Sequence, residues 1–219
     1  PISFKKLGLK NFQLEITSLG DKESRAKHRQ DLISYIAKLD LDEETKERAA
    51  LNPLRIFDDK RSEIVEAMAG APLLINYLSS QSLKNFEKVQ SLLKDLKIKF
   101  EINPKMVRGL DYYTGTTFEF SHKELGAQSG IGGGGRYDGL MSELGGSDLS
   151  GIGFGIGVDR VLLAMQEEGL IDLNSNPEPL ELMLIPLGEE SKVFVVKVSD
   201  ELRNSGLRAD MSYGDRALK

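Results

Sequence analysis

Arg108 and Gly109 lead into a run of aromatic and β-branched residues in the segment 106–120, MVRGLDYYTGTTFEF. A fixed cation followed by such residues is the composition of a strand with a polar entry. Successive side chains of a strand alternate between its faces. Tyr113, Gly115, Thr117 and Glu119 therefore share one face, and Tyr112, Thr114, Thr116, Phe118 and Phe120 the other. The second set reads as a core face. The first is polar, carries a glycine where something comes close, and lies just past the charge of Arg108. That is how the floor of a pocket for a small anionic or zwitterionic ligand reads. The plain alternative is a half-buried strand whose tyrosines pack and whose arginine is a solvated end.

Two glycine runs extend this chemistry. Gly132 to Gly135 are four consecutive glycines followed by Arg136, Tyr137 and Asp138. Such a run is costly and is kept where backbone turns sharply or meets something closely. It lacks both the Walker and the Rossmann spacing, so as a phosphate loop it is a weak signal. Tyr137 and Asp138 line a pocket on this reading, or cap a helix over 139–144. In 151–158, GIGFGIGV, every odd position is glycine and every even one large and apolar. As a strand, one face is bare backbone and the other core, and a flat ring or a nucleotide can lie directly on the bare face. Close helix packing accounts for one or two such glycines, not for four in register. The helix predicted over 158–168 carries Arg160 in its first turn, where a guanidinium and the positive helix end act together on phosphate oxygens.

The rest of the chain must position these groups. At 219 residues and 40% hydrophobic content it can bury one substantial core, with or without a smaller unit. A net charge of -5 provides no global field for nucleic acid, so such contact requires local patches. The absence of cysteine removes disulfides, thiolate catalysis and Cys-type zinc sites, and two distant histidines, His28 and His122, have no ligand spacing. No metal site is predicted. Nothing in the chain resembles a membrane span or a signal peptide, which predicts a cytoplasmic protein. Both ends read as cuts through a longer protein.

A short helical tail over 2–9 and a strand over 12–16 come first. Apolar residues at three- and four-residue steps then predict helices over 22–39, 42–50, 61–69, 73–77 and from 82 to 96, with Asp42 and Ser82 as caps. The first of these carries Lys22, Arg25, Lys27, His28 and Arg29. This basic run is read as a solvated face ahead of an RNA contact. Strands resume at 98–102. After a polar, proline-containing linker over 174–179, a strand over 182–187, a helix over 191–203 and a strand over 207–211 predict a parallel β-α-β unit.

Arg108-Gly109-Leu110-Asp111-Tyr112-Tyr113-Thr114, Gly134-Gly135-Arg136-Tyr137-Asp138-Gly139-Leu140 and Gly153-Phe154-Gly155-Ile156-Gly157-Val158-Asp159-Arg160 together resemble the histidyl-tRNA synthetase family. The first two resemble its histidine-binding signatures and the third motif 3 of class II synthetases. The similarity extends through 14–29 and 52–56. The resemblance implies an α+β fold: part of a class II antiparallel sheet with helices, a helical insertion, and the start of an α/β anticodon-binding domain. It divides the chain into 1–17 and 97–176 as catalytic domain, 18–96 as insertion and 180–219 as the opening of the anticodon domain. Motifs 1 and 2 and most of the anticodon domain are missing from the pattern, as in a fragment.

The activity implied is ATP-dependent formation of histidyl-adenylate and transfer of histidine to tRNA(His), with Mg2+ and a homodimeric parent. By resemblance, Arg108 bridges the amino-acid carboxylate and the α-phosphate, and Arg160 holds the terminal phosphate beside Gly155 and Gly157. Tyr112 and Tyr113 shape the histidine pocket, Tyr113 touching the imidazole, and Tyr137 closes it. The alternatives are the synthetase-like regulatory subunit of ATP phosphoribosyltransferase, which binds histidine without charging tRNA, and a nucleic-acid-binding module made of the helical insertion.

Overall fold

A computed structural model describes residues 1–107, 112–172 and 180–213. The chain divides into two compact units, Pro1–Ile171 and Asp172–Lys219. Arg108 lies outside the described residues.

The first unit is built on a mixed, mainly antiparallel sheet of five strands: β1 (Phe12–Ser18), β2 (Glu101–Ile102), β3 (Thr114–His122), β4 (Gly130–Tyr137) and β5 (Gly151–Ile156). Their order across the sheet is β2-β1-β3-β4-β5, with β2 parallel to β1 and every other pair antiparallel. Period-two alternation separates the two faces. Leu14, Ile16, Phe118 and Phe120 lie in cross-strand register on one of them, and Glu15, Thr17, Thr117 and Glu119 on the other.

The apolar face is covered by three helices, α1 (Ile2–Lys6), α5 (Ser80–Asp95) and α7 (Val158–Glu167). They contribute Phe4, Phe86, Val161 and Ala164 to a cluster with Leu14, Ile16, Phe120 and Ile131. Phe4 meets Phe120 edge-on, with ring centroids 5.2 Å apart. The far end of α7 is tied to the sheet by Glu168. Its carboxylate accepts from the backbone N–H groups of Lys10 (2.9 Å) and Asn11 (2.8 Å) and lies 3.0 Å from His122 Nε2.

Between β1 and α5 the chain forms α2 (Lys22–Ile36), α3 (Glu43–Leu51) and α4 (Ser62–Ala67), which enclose a second core of Leu32, Ile36, Leu41, Ala49, Ile56, Ile64, Met68 and Ala71. Asp42 caps α3 as predicted, accepting from Thr45 N at 2.9 Å. The cap of α5 is Ser79 rather than Ser82: the Ser79 hydroxyl accepts from Ser82 N at 3.2 Å. Asp21 accepts from Ser24 N at 2.8 Å, so it caps α2, and it accepts from the Ser79 and Ser82 hydroxyls as well. Those donors hold its carboxyl well below the usual carboxylate range. The buried stripe of α2 is Ser24, His28, Leu32 and Ile36 at strict four-residue steps, whereas Ala26 and Ile33 are exposed. The stripe begins with polar residues because each has a partner there. His28 places Nε2 2.8 Å from the Pro72 carbonyl, and burial holds its pKa below the usual imidazole value.

Three sequence-based expectations change. Of the two readings of the four glycines, a sharp turn or a close approach, the second holds, since they are the interior of β4, and the helix after them, α6, is only Leu140–Glu143. The even positions of β5 are not core: Ile152, Phe154 and Ile156 are 75%, 73% and 45% exposed, because β5 is an edge strand and no described element covers that side. The residues around 73–77 form a 3-10 turn, Leu74–Tyr77, rather than an α-helix.

The second unit has the predicted parallel pair. β6 (Leu182–Leu184) and β7 (Ala209–Met211) are joined through α8 (Glu189–Asn204), with Leu182 opposite Ala209. Its first strand is not buried, Leu182 and Met183 being 41% and 54% exposed. Among the described residues of this unit only Val195, Ser199, Ala209 and Met211 are buried, so a single helix and a two-stranded sheet leave most of the apolar surface open. No helix among the described residues is long and apolar enough to cross a membrane.

Candidate functional site

Bare backbone makes the floor of the site. Gly133 and Gly135 of β4 stand opposite Gly155 and Gly153 of β5, on the same sheet face as Glu119 and Thr117. Each glycine has its own reason. A Cβ on Gly134 would lie 2.1 Å from the Gly153 carbonyl oxygen, so β4 and β5 approach too closely for any other residue there. A Cβ on Gly135 would meet Thr117 and the Tyr113 ring, and one on Gly151 would sit 2.2 Å from the Tyr137 ring. A Cβ on Gly155 would meet nothing within 4 Å. That position borders open space.

The open space is a cleft of about 730 Å³ lined by Tyr112, Tyr113, Tyr137, Glu119, Arg160 and the glycines of β4 and β5, Gly155 and Gly157 included. Three tyrosines form its aromatic wall. Ring centroids of Tyr112 and Tyr113 are 4.7 Å apart, and the Tyr137 ring stands nearly perpendicular to Tyr112 at 5.5 Å. Tyr113 is buried, and Tyr112 is half-buried beside it.

The alternation predicted for 112–120 applies only within β3, which begins at Thr114. Tyr112, assigned to the core face, lies in the cleft wall with Tyr113. Both tyrosines precede that strand, so period-two alternation does not govern them. Inside it, pairing with β4 jumps from Thr114↔Arg136 to Thr117↔Gly135, a bulge of two residues that keeps the alternation of faces, and Gly115 takes a φ of +54°. The bulge is secured from β1, since Leu19 N donates to the Gly115 carbonyl at 2.7 Å and Gly115 N to the Gly20 carbonyl at 2.9 Å. Thr114 is fixed from the other side, its Oγ1 accepting from Asp138 N at 2.8 Å.

Tyr137 ends β4 between two paired charges. Arg136 Nε donates to Asp138 at 2.8 Å, and Arg136 Nη2 to the Ser150 hydroxyl at 2.8 Å. Burial pushes the Asp138 carboxyl up, but Arg136, Ser150 and Thr114 outweigh it and hold the pKa below the usual value. Gly157 caps α7, so Arg160 leaves the first turn of that helix at the cleft, where its Nη1 reaches the Gly130 carbonyl at 3.4 Å. A guanidinium beside a helix start over a glycine floor is suited to phosphate oxygens. Glu119 is the one carboxylate among the described residues that line the cleft, and a Cβ on Gly130 would stand 2.7 Å from its Oε1.

The structure thus brings Tyr112, Tyr113, Tyr137, Gly155, Gly157 and Arg160 to one cleft, while Arg108 lies outside the described residues. Sequence reasoning placed Glu119 on the pocket-floor face with Thr117 but gave it no named role, and it lines the cleft. It also gave Arg25 no role at the site. The Arg25 guanidinium turns inward and donates to the Tyr113 carbonyl at 3.1 Å, and Arg29 donates to the Ala50 carbonyl at 3.3 Å.

Comparison with known proteins bears on this arrangement. A family model described as histidyl-tRNA synthetase matches residues 18–161. The histidine–tRNA ligase of Corynebacterium efficiens is 54% identical over 217 residues, covering 99% of this chain and 50% of that protein. That of Corynebacterium jeikeium is 56% identical over 216 residues, covering 99% and 48%. The chain therefore spans about half the length of the curated relatives it matches. Among solved structures, apo S. aureus histidyl-tRNA synthetase superposes with a TM-score of 0.59 at 33% identity, over 98% of this chain and 53% of that one. The family model covers more than half of this chain and the two ligases share more than half of its residues, so this chain belongs to the histidyl-tRNA synthetase family.

Proposed function

We propose that this chain supplies the histidine pocket and the motif 3 half of the nucleotide site of a histidine–tRNA ligase. The observation that carries the reading is the single cleft where three tyrosines and Arg160 surround a bare glycine floor. A carboxylate oxygen of histidine attacks the α-phosphorus of ATP and pyrophosphate leaves, giving histidyl-adenylate. A ribose hydroxyl of tRNA(His) then takes the acyl group and AMP departs. A carboxylate is already a nucleophile at neutral pH, so the first step needs no general base. Alignment and neutralisation of phosphate charge carry the rate.

In this reading Tyr113 touches the imidazole, Tyr112 and Tyr137 close the pocket, and Glu119 faces the positive end of the amino acid. Gly155 and Gly157 give ATP close access to the backbone, and Arg160 binds its terminal phosphate. Arg108 bridges the histidine carboxylate and the α-phosphate. Mg2+ enters with the ATP phosphates as part of that substrate, Glu119 being the one carboxylate among the described lining residues. Residues 1–17 and 97–176 are assigned to the catalytic domain, 18–96 to the insertion and 180–219 to the start of the anticodon domain, in a cytoplasmic, homodimeric protein. The test is histidine-dependent exchange of pyrophosphate into ATP by a full-length ligase carrying this sequence. Exchange is expected with histidine and absent with other amino acids, and its absence with histidine would refute the reading.

A further inference from the structure

Arg25 sits on the basic start of α2, alongside Lys22 and Arg29, where the charge pattern alone points outward to a polyanion. Its hydrogen bond points inward instead. Nη1 donates to the Tyr113 carbonyl at 3.1 Å across a sequence separation of 88 residues. That carbonyl is the backbone of the residue whose ring covers Gly135 and lines the cleft, directly before β3 and its bulge at Gly115.

We propose that Arg25 is a positioning residue for the amino-acid pocket, holding the backbone of Tyr113 so that the tyrosine pair keeps its place over the glycine floor. The inference rests on the assignment of Tyr113 to the histidine pocket. Three hydrogen bonds from the short segment that turns out of β1 into α2 reach residues 113–115. They are Leu19 N to the Gly115 carbonyl, Gly115 N to the Gly20 carbonyl, and Arg25 Nη1 to the Tyr113 carbonyl. The segment is itself tightly built. Gly20 has a φ of +60°, an added Cβ there would lie 2.9 Å from Ser24 Cβ, and Asp21 caps α2 one turn before Arg25. It therefore acts as a mould for the bulge, and Arg25 is its side-chain contact with the tyrosine end. A charge-assisted bond from a half-buried guanidinium is about twice as strong as a neutral one and is directional, which suits it to fixing a carbonyl outside the regular ladder. A displacement near 1 Å at a binding group costs up to about a hundredfold in rate, so a loosened Tyr113 backbone registers in the amino-acid parameters first.

The test compares Arg25→Met, Arg25→Lys and Tyr113→Ala in a full-length ligase carrying this sequence, by pyrophosphate exchange with histidine and ATP varied separately. R25M is expected to raise KM for histidine about tenfold, leaving KM for ATP within twofold. R25K, which keeps one donor, is expected to fall between R25M and the unmodified enzyme. Should R25M not fold, R25K decides: a histidine KM within experimental error of the unmodified value overturns the proposal. So does an R25M enzyme whose histidine KM is unchanged while RNA binding weakens and loses salt dependence, since Arg25 is then a phosphate contact. If Tyr113→Ala leaves the histidine KM unchanged, it is the pocket assignment that has failed rather than the role of Arg25.

Discussion

Glu168 offers the sharpest test of how α7 is held. Its side chain is 5% exposed and accepts from three donors: the backbone N–H groups of Lys10 and Asn11, and the Nε2–H of His122, which is itself fully buried. Burial pushes the carboxyl up, but the donations from Asn11, Lys10 and His122 prevail and its pKa lies below the ordinary value of 4.5. Glu168→Ala strands those donors in a site with little solvent access. A buried donor without a partner costs about 1–3 kcal/mol, and three donors share this one carboxylate. Allowing for water entering the vacated space, the loss is about 4 kcal/mol. For a unit of this size that is about 10 °C in Tm. Glu168→Gln keeps one acceptor but aims an N–H group at other donors, and should cost about 2 kcal/mol. The pH dependence has a definite sign. A carboxyl depressed in the folded state stabilises fully above the unfolded pKa and loses that contribution as pH falls through the folded one. The gap between the unmodified chain and E168Q should therefore be full at pH 7 and narrow below about 4.5. Urea unfolding of residues 1–219 followed by circular dichroism measures both. A loss under 1 kcal/mol for E168A, or a gap indifferent to acid, would show that α7 is not held through this carboxylate.

Other substitutions separate folding from binding. Gly134→Ala drives a methyl into the Gly153 carbonyl and should destabilise by several kcal/mol in a thermal melt, whereas Gly155→Ala meets nothing within 4 Å and should melt normally while weakening ATP binding about tenfold in calorimetry of a full-length ligase. His28 is depressed by burial, so its neutral form is the folded one: stability should be constant above about pH 6.5 and decline below it, and His28→Gln, which retains a donor for Pro72, should flatten that decline in urea titrations. Arg108→Ala in a full-length ligase should slow single-turnover adenylation about a hundredfold, roughly 3 kcal/mol of barrier, and a rate within threefold of the unmodified enzyme would remove Arg108 from the mechanism.

Where side chains obey a local rule, the sequence was readable. Leu14, Ile16, Phe118 and Phe120 alternate with polar neighbours and lie in register on one sheet face, and Asp42 caps its helix. The signature residues also converge, because three strands and one helix start bring Tyr112, Tyr113, Tyr137 and Arg160 to one cleft. What was not readable depended on partners distant in the chain. Glycine has no strand preference of its own, so for Gly132 to Gly135 the sequence left a turn and a close approach both open, and it is Phe154 and Tyr113 that stand close enough to exclude anything larger. Tyr112 lies before the first residue of β3, so strand alternation never applied to it, and nothing in 112–117 marks where the strand begins. Ser24 and His28 join a buried stripe that apolar periodicity could not find, since each needs a hydrogen bond from elsewhere. Arg25 carries the same charge as its neighbours and differs from them only in what it reaches.

The glycine floor also determines when the entropy of ordering is lost. Gly133, Gly153 and Gly155 each surrender more backbone freedom on folding than another residue would, about 0.5–1 kcal/mol apiece relative to alanine. A ligand laid on that surface then finds no rotamers to immobilise. A floor of long side chains would instead lose about 0.5–1.5 kcal/mol for each one frozen at the moment of binding. The cleft meets its ordering cost once, during folding, and each substrate that enters is spared it.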